Sequence, residues 1–156
     1  MHDVKMRIKH DQRRKGEKST ATGKAEGIVD CAADRVAAWF FEYCSNERMQ
    51  NCIEERDSIH VELSGNDKRM PNEKIFAMVE RFPFPLSNRE FVFRHVWKVN
   101  EGSAIVGIWP SDDTVDYGKS VGKTVRGTMK GLFTATNIGC KGKVNQCEVR
   151  YYTVSL

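Results

Sequence analysis

Residues 81–99, RFPFPLSNREFVFRHVWKV, join a proline-rich turn to a long alternating segment, and this stretch decides the fold. Pro83 and Pro85 have a fixed backbone angle and no N–H donor, so they end one strand and turn the chain before Arg89. From residue 89 to residue 99, apolar side chains recur at every second position, which predicts a half-buried β-strand. The residues on its apolar face are Phe91, Phe93, His95, Trp97 and Val99.

The same two-residue period continues through the second half of the chain, where no helical period is found. Clusters of Gly, Asn, Asp or Lys separate the alternating segments. The loops between them are too short for the crossover that parallel pairing requires, so we expect one curved antiparallel meander. Its further strands are predicted at residues 58–63, 73–81, 103–109, 124–135 and 145–156, with a turn at residues 64–67.

The first half of the chain adds a strand and a helix. Residues 19–29 alternate, and one face of this predicted strand is small and apolar. Asp30 is a suitable N-cap for a helix of about twelve residues, and a weaker helical segment is expected at residues 46–55. The architecture is therefore α+β, with short helices between the early strands. The helix has an apolar stripe of Val36, Phe40 and Cys44, widened by Ala33, Ala37 and Phe41.

The charge of the 156-residue chain is concentrated at its N-terminus. Residues 1–24 contain eight basic and three acidic residues, a net charge of +5, which leaves −1 for the rest. We expect a basic arm at residues 1–18 and one domain at residues 19–156, because this length suits a single core. The arm is either solvated or contacts an anionic partner, for which we expect a membrane and not a nucleic acid. No long apolar run or secretory signal is found, so an intracellular, cytoplasmic protein is expected.

Two features that could indicate other chemistry are weak. The five cysteines contain no Cys-x-x-Cys pair, so we interpret them as reduced thiols and expect neither a metal nor a cofactor. The segment GKSVGKT has only three residues between Gly118 and Gly122, whereas a phosphate-binding loop has four and opens a helix. We interpret it as a flexible hairpin loop and do not expect it to bind a nucleotide.

The predicted strand at residues 124–135 alternates small with large apolar residues. Glycines inside a strand mark a bend or a close approach of another group. Small faces opposite large ones make either a packed core or a cavity, and the sequence leaves both open. The residues on this face are Val125, Gly127, Met129, Gly131, Phe133 and Ala135.

The order of these elements resembles the START (steroidogenic acute regulatory protein-related lipid-transfer) domain, within the Bet v 1-like helix-grip superfamily. The resemblance spans residues 24–156, and Arg89-Glu90-Phe91-Val92 is its most specific motif. It implies a sheet wrapped around a C-terminal helix, with a tunnel that holds one lipid, no enzymatic activity, and in some members transfer between membranes. The segments that carry it are GIVDCAADRVAAWFFEYCSNERM, FPFPLSNREFVFRHVW, KTVRGTMKGLFTATNIG and CEVRYYTVSL.

The resemblance also implies which residues contact a phospholipid, a sterol or another hydrophobic ligand. In sterol-binding members a buried Arg lies where this chain has His95, and its carboxylate partner lies near the position of Phe76. That charged pair is absent here, so sterol selectivity is left open and His95 becomes the candidate polar contact. The expected ligand contacts are Phe91, Phe93, His95, Trp97, Gly127, Met129, Phe133 and Tyr151.

The end of the chain departs from the family, because the closing helix expected after YYTVSL is missing. The basic N-terminus likewise matches the family's first helix poorly. We expect a C-terminally truncated domain.

Two other functions fit the same superfamily. One is a protein-interaction module with a filled core. The other is a cyclase or hydrolase, which requires a second titratable group, such as Glu80 or Glu148, beside His95.

Overall fold

The computed structural model describes residues 4–10, 20–45, 47–51, 58–63, 71–118 and 120–155. Helix α1 spans Ala33–Phe41, and residues 47–51 form a second helical segment. Neither described helical segment has the length and apolarity that a membrane span requires. The strands are β1 (Lys5–His10), β2 (Ala21–Val29), β3 (Ser58–Glu62), β4 (Glu73–Glu80), β5 (Asn88–Asn100), β6 (Ser103–Pro110), β7 (Thr124–Arg126), β8 (Met129–Lys141) and β9 (Val144–Ser155).

These nine strands of the described chain form one sheet in the order β1-β2-β9-β8-β6-β5-β4-β3, with β7 beside β5. The predicted strands β2, β3, β4, β5, β6 and β9 are confirmed close to their expected bounds. The expected simple meander is corrected in two places, since β2 pairs with β9 and β7 runs parallel to β5. Loop length constrains only strands that are neighbours in sequence, so it does not predict the β2–β9 pair.

The prediction of a basic arm at residues 1–18 is corrected, because residues 5–10 form strand β1. Residues 5–10 pair with β2 in a regular antiparallel register from Lys5 opposite Glu26 to His10 opposite Ala21. The sheet therefore begins before residue 19, where the domain boundary was expected. All six residues of β1 are exposed, so their alternation lacks the buried face by which a strand is recognised.

The predicted strand at residues 124–135 is two strands. Thr124–Arg126 pair with β5, and the chain then changes partner, so that β8 pairs with β6 and β9. Gly127 lies at this change and donates its N–H to the Glu90 carbonyl at 2.8 Å. A Cβ on Gly127 would lie 2.4 Å from the Phe91 ring, so the close approach requires glycine.

The proline-rich turn is closed by hydrogen bonds. The Leu86 N–H donates to the Pro83 carbonyl at 3.0 Å, and the Phe82 N–H donates to Asn88 Oδ1 at 3.2 Å. Phe84 is 96% exposed, and Leu86 is also exposed. The apolar side chains at the tip of this turn therefore project into solvent.

Helix α1 is capped differently from the prediction. Its N-cap is Ala32, and the side chain of Asp30 instead accepts a hydrogen bond from Gln146 at 2.6 Å. The Ala33 N–H donates to Asn137 Oδ1 at 2.8 Å, so a residue of β8 satisfies one of the first helical N–H groups. At the other end, Arg48 donates to the carbonyl of Trp39 at 3.1 Å.

The helix is also shorter than expected and buries a different stripe. It has nine residues, and Ala33, Ala37 and Phe41 form its buried face, whereas Val36 and Phe40 are only partly buried. The remainder of the predicted segment 46–55, outside residues 47–51, and the predicted turn at 64–67 lie outside the described residues. Strand β9 is the last element of the described residues.

The core has two clusters on one face of the sheet. Helix α1 covers this face, which we call the inner face; the opposite one is the outer face. Phe40 and Tyr151 pack against both of its clusters. Burial of these apolar side chains is the main stabilising contribution. The first cluster is Ala33, Ala37, Phe41, Ala104, Val106, Phe133, Ala135 and Cys147, and the second is Phe76, Met78, Phe93 and Ile108.

The cap from β8 can be tested by substitution. Asn137→Ala removes the acceptor for the Ala33 N–H, and we expect the free energy of unfolding in urea to fall by about 1 kcal/mol. Asn137→Asp retains an oxygen at the helix N-terminus and is expected to retain stability. Thr136→Ala, at an exposed neighbouring position, should change it by less than about 0.5 kcal/mol. Equal losses in the two alanine variants would contradict the cap.

Candidate functional site

The predicted ligand contacts of β5, β8 and β9 lie on the inner face. On β5, His95 and Phe93 are fully buried, and Phe91 and Trp97 are partly buried. Phe133 on β8 lies opposite Tyr151 on β9 and opposite Val106 on β6. The alternation of β5 therefore identified the face that packs against α1.

His95 lies in a cage of aromatic rings. Its ring centroid is 5.2 Å from that of Phe93 and 5.1 Å from that of Phe76, which come from β5 and β4. The helix side of the cage is formed by Phe40, at 5.7 Å, and by Tyr43, also at 5.7 Å. Only 1% of His95 is exposed, so solvent does not reach the imidazole.

The imidazole of His95 is neutral at physiological pH. Burial, together with the positive charge of Arg48, lowers its pKa from 6.5 to about 4, while the Phe41 backbone carbonyl acts in the opposite direction. Neither ring nitrogen has a hydrogen bond of regular geometry within the described residues. A buried polar group without such a bond costs free energy of folding. The two ring nitrogens of His95 are therefore held inside an apolar site at a cost to stability.

Four residues of the cage and its surroundings were not predicted as site residues. Phe40 and Tyr43 come from α1 and the segment after it, and Phe76 and Met78 come from β4; the Tyr43 hydroxyl donates to Met78 Sδ at 3.3 Å. The alternation of β4 and the apolar stripe of the helix contained the signal for three of them. Tyr43 follows the end of α1, where helical spacing no longer predicts its direction.

The predicted contacts do not surround one cavity. Trp97 stacks on Phe41 with ring centroids 5.3 Å apart, and Phe91 and Met129 pack against the second cluster. Gly127 lies against the Phe91 ring. The centre of the inner face is therefore packed by side chains, which is one of the two outcomes that the small faces left open.

A small cleft lies beside this packed centre, and it represents the other outcome. Its volume is about 90 Å³, and its walls come from β2, β8 and β9 together with Val4. The small inner face of β2 makes the room, since Ala25 and Gly27 have little or no side chain. Among the predicted contacts, Phe133 and Tyr151 line it. Other lining residues are Val29 and Val149.

The ring of Phe40 separates the cleft from His95. It stacks on Phe133, which lines the cleft, at 4.2 Å, and on His95 at 5.7 Å. It also meets the ring of Tyr151 edge to face at 5.4 Å. A molecule in the cleft therefore contacts Phe133 and Tyr151, and reaches His95 only if Phe40 moves.

Comparisons with known proteins agree on the fold. No family model and no curated protein matches the sequence. The structure is similar to the lipid transfer and protein localization domain of human StarD13 (DLC2), with a TM-score of 0.65 and 14% identity over 97% of this chain and 70% of that one. It is also similar to human STARD10, with a TM-score of 0.61 and 13% identity over 95% of this chain and 60% of that one.

A bacterial neighbour gives the same result. The STAR-related lipid transfer protein of Xanthomonas axonopodis matches with a TM-score of 0.52 and 18% identity over 92% of this chain and 80% of that one. The chain has the START helix-grip fold. The fold expected from Arg89-Glu90-Phe91-Val92 and the order of the elements is thus confirmed.

Within this START fold, the groups that other functions require lie apart from His95. Glu148 is on the outer face and forms an ion pair with Arg150 at 2.9 Å. Glu80 lies at the end of β4 opposite Arg89, whereas the residue opposite His95 is Lys74. Phe76 meets the His95 ring where sterol-binding members were expected to have a carboxylate.

The neutral state of His95 predicts how stability depends on pH. The pKa is lower in the folded protein than in the unfolded chain, so protons bind preferentially to the unfolded chain as the pH falls below about 6.5. We expect the free energy of unfolding to fall by about 2 kcal/mol between pH 7 and pH 5 through this residue. Urea denaturation at both pH values measures it.

The matched variant is His95→Phe, which retains an aromatic ring but does not titrate. Its free energy of unfolding should fall less between the two pH values, by the same amount of about 2 kcal/mol. An identical pH dependence in both proteins would contradict the assignment.

Proposed function

We propose that this domain binds one elongated apolar molecule, such as the acyl chain of a lipid, on the part of the inner face that α1 leaves uncovered. The observation that carries the proposal is the cleft between β2 and β9, with its apolar walls. Helix α1 packs on β5, β6, β8 and β9, whereas the inner-facing side chains of β1 are exposed. The cleft therefore continues onto an open apolar surface beside it.

The size of the cleft limits what it can hold. Pockets that enclose a whole small molecule usually measure about 300–1,000 Å³, whereas this one has room for about three water-sized groups. It suits one end of a chain, whose remainder would lie along β1 and β2. Each buried methylene contributes about 0.8 kcal/mol, so the cleft alone supplies about 2–3 kcal/mol.

We assign ligand contact to Phe133 and Tyr151, and a supporting role to the other predicted residues. Phe91, Phe93, Trp97, Gly127 and Met129 hold the wall against which Phe40 and the cleft residues pack. Recognition in this proposal rests on the shape of the cleft, because Phe40 lies between the cleft and His95. A polar group of the ligand would contact His95 only after the Phe40 ring turns away.

The class of ligand is inferred from the fold. Two of the structural neighbours are named as lipid transfer proteins or domains, and this supports a lipid as ligand and transfer between membranes as the activity. Aliphatic and aromatic cleft walls are compatible with an acyl chain.

A second candidate is a protein-interaction module with a filled core. The packed aromatic centre around His95 favours it, since most of the inner face is occupied by the protein's own side chains. Native mass spectrometry after purification from cells distinguishes the two. A bound mass in the lipid range supports the lipid proposal, and only the bare chain supports the module.

The cleft can be tested with a substitution that fills it. We expect Ala25→Trp to weaken binding of fluorescently labelled phosphatidylcholine about tenfold or more, because the indole occupies the space of the buried methylenes. Thr22→Trp adds the same side chain to the exposed outer face of the same strand and should change binding less than about twofold. Circular dichroism checks that both variants fold. Equal affinity in the two variants would disprove the cleft as the site.

A further inference from the structure

Strand β1 is amphipathic and lies at the edge of the sheet. Its register with β2 places Met6 opposite Ala25 and Ile8 opposite Gly23, on the inner face. With Val4, which lines the cleft, they form an apolar row. Val4, Met6 and Ile8 are 68%, 67% and 63% exposed, among the highest values of any large apolar residue described.

The outer side of the same strand is basic. Lys5, Arg7 and Lys9 alternate with the apolar row and face outward, where Arg7 lies opposite Lys24 on β2. Lys130 on β8 lies in the same part of the outer face. Along β1, β2, β9 and β8 as far as Thr136, the outer positions carry six basic residues against two acidic ones. The basic residues are Lys5, Arg7, Lys9, Lys24, Lys130 and Arg150, and the acidic residues are Glu26 and Glu148.

We propose that the β1 edge docks on an anionic lipid bilayer. The apolar row enters the interfacial region, and the basic row contacts the headgroup phosphates beside it. An apolar face flanked by Lys and Arg is the combination that holds peripheral elements at such interfaces. This goes beyond ligand binding, which does not itself require a membrane contact at β1.

The position of the cleft agrees with this orientation. Val4 belongs both to the apolar row and to the wall of the cleft, so docking through β1 brings the mouth of the cleft to the bilayer surface. A chain from a lipid could then pass from the bilayer to the inner face across Met6 and Ile8. His95 is on β5, five strands from β1 in the sheet order, so the packed side of the inner face lies away from the bilayer.

Charge argues against a second copy of the chain on this edge. Antiparallel pairing of two β1 strands would bring Lys5, Arg7 and Lys9 of one copy against the same residues of the other, and like charges opposite each other destabilise a strand pair. Lysines on edge strands are a common means of preventing such pairing. The row is also aliphatic, whereas single-stranded nucleic acids are bound on exposed aromatic rings.

Point substitutions are needed for the test, because deletion of residues 1–24 would remove β1 and part of β2. The full chain is sedimented with phosphatidylcholine vesicles, with and without phosphatidylserine. We expect binding only to the vesicles that contain phosphatidylserine. Lys5→Thr/Arg7→Thr/Lys9→Thr should weaken it about 100-fold, since each basic group near an anionic surface contributes about fivefold. Met6→Thr/Ile8→Thr should weaken it about tenfold or more.

A matched control separates the local contact from net charge. Lys98→Thr/Lys141→Thr/Lys143→Thr removes the same three charges from exposed positions away from β1, and should weaken binding less than about threefold. Ile8→Trp provides a gain of signal in case a loss variant folds poorly. The emission of the added tryptophan, obtained by subtracting the wild-type spectrum, should shift to shorter wavelength only with anionic vesicles.

Several results would overturn the proposal of membrane docking through β1. The proposal is overturned by absence of vesicle binding or by equal binding to both vesicle types. It is also overturned if the triple variant of β1 and the triple-lysine control variant lose vesicle affinity equally. Unchanged binding of Met6→Thr/Ile8→Thr overturns it as well. A dimer in light scattering that this variant dissociates would assign the edge to a second copy instead. Native mass spectrometry measures whether the Lys5→Thr/Arg7→Thr/Lys9→Thr variant still binds labelled phosphatidylcholine. A variant that binds this lipid but not the vesicles has lost the docking and not the proposed function.

Discussion

The packing of Phe40 against the inner face is the contact on which the structure depends. One ring from α1 stacks on Phe133 at 4.2 Å and on His95 at 5.7 Å, and meets Tyr151 at 5.4 Å. It thereby joins β5, β8 and β9 and packs against both core clusters. A helix of nine residues is too short to be stable alone, so this tertiary packing holds it in place.

Two consequences follow for the site. First, the helix seals the centre of the inner face, and the sealed centre keeps His95 neutral inside a cage of aromatic rings. Second, so short a helix leaves the β1 and β2 side of that face uncovered, where the cleft and the exposed row of Val4, Met6 and Ile8 lie. The packed centre and the open side are thus two results of the same helix position.

The sequence predicted those elements whose burial alternates in a regular way. Strand β5 could be recognised because Phe93 and His95 are buried while Arg94 between them is exposed. Strand β1 could not, because both of its faces are exposed and its lysines resemble a tail. The cap of α1 by Asn137 was also beyond local reasoning, since the two residues that it joins are far apart in the chain.

The site was predictable to the same extent. The inner face, with Phe133 and Tyr151, followed from alternation, whereas the location of the cleft depends on where α1 ends across the sheet.

The central claim is that an apolar chain binds in the cleft beside β2. NMR of methyl-labelled protein during titration with a short-chain phosphatidylcholine tests this claim most directly. We predict chemical-shift changes at the methyls of Ala25, Val29 and Val149, and little change at Ala77 and Val79, which are buried on β4. Changes confined to β4, or none at the three cleft residues, would contradict it.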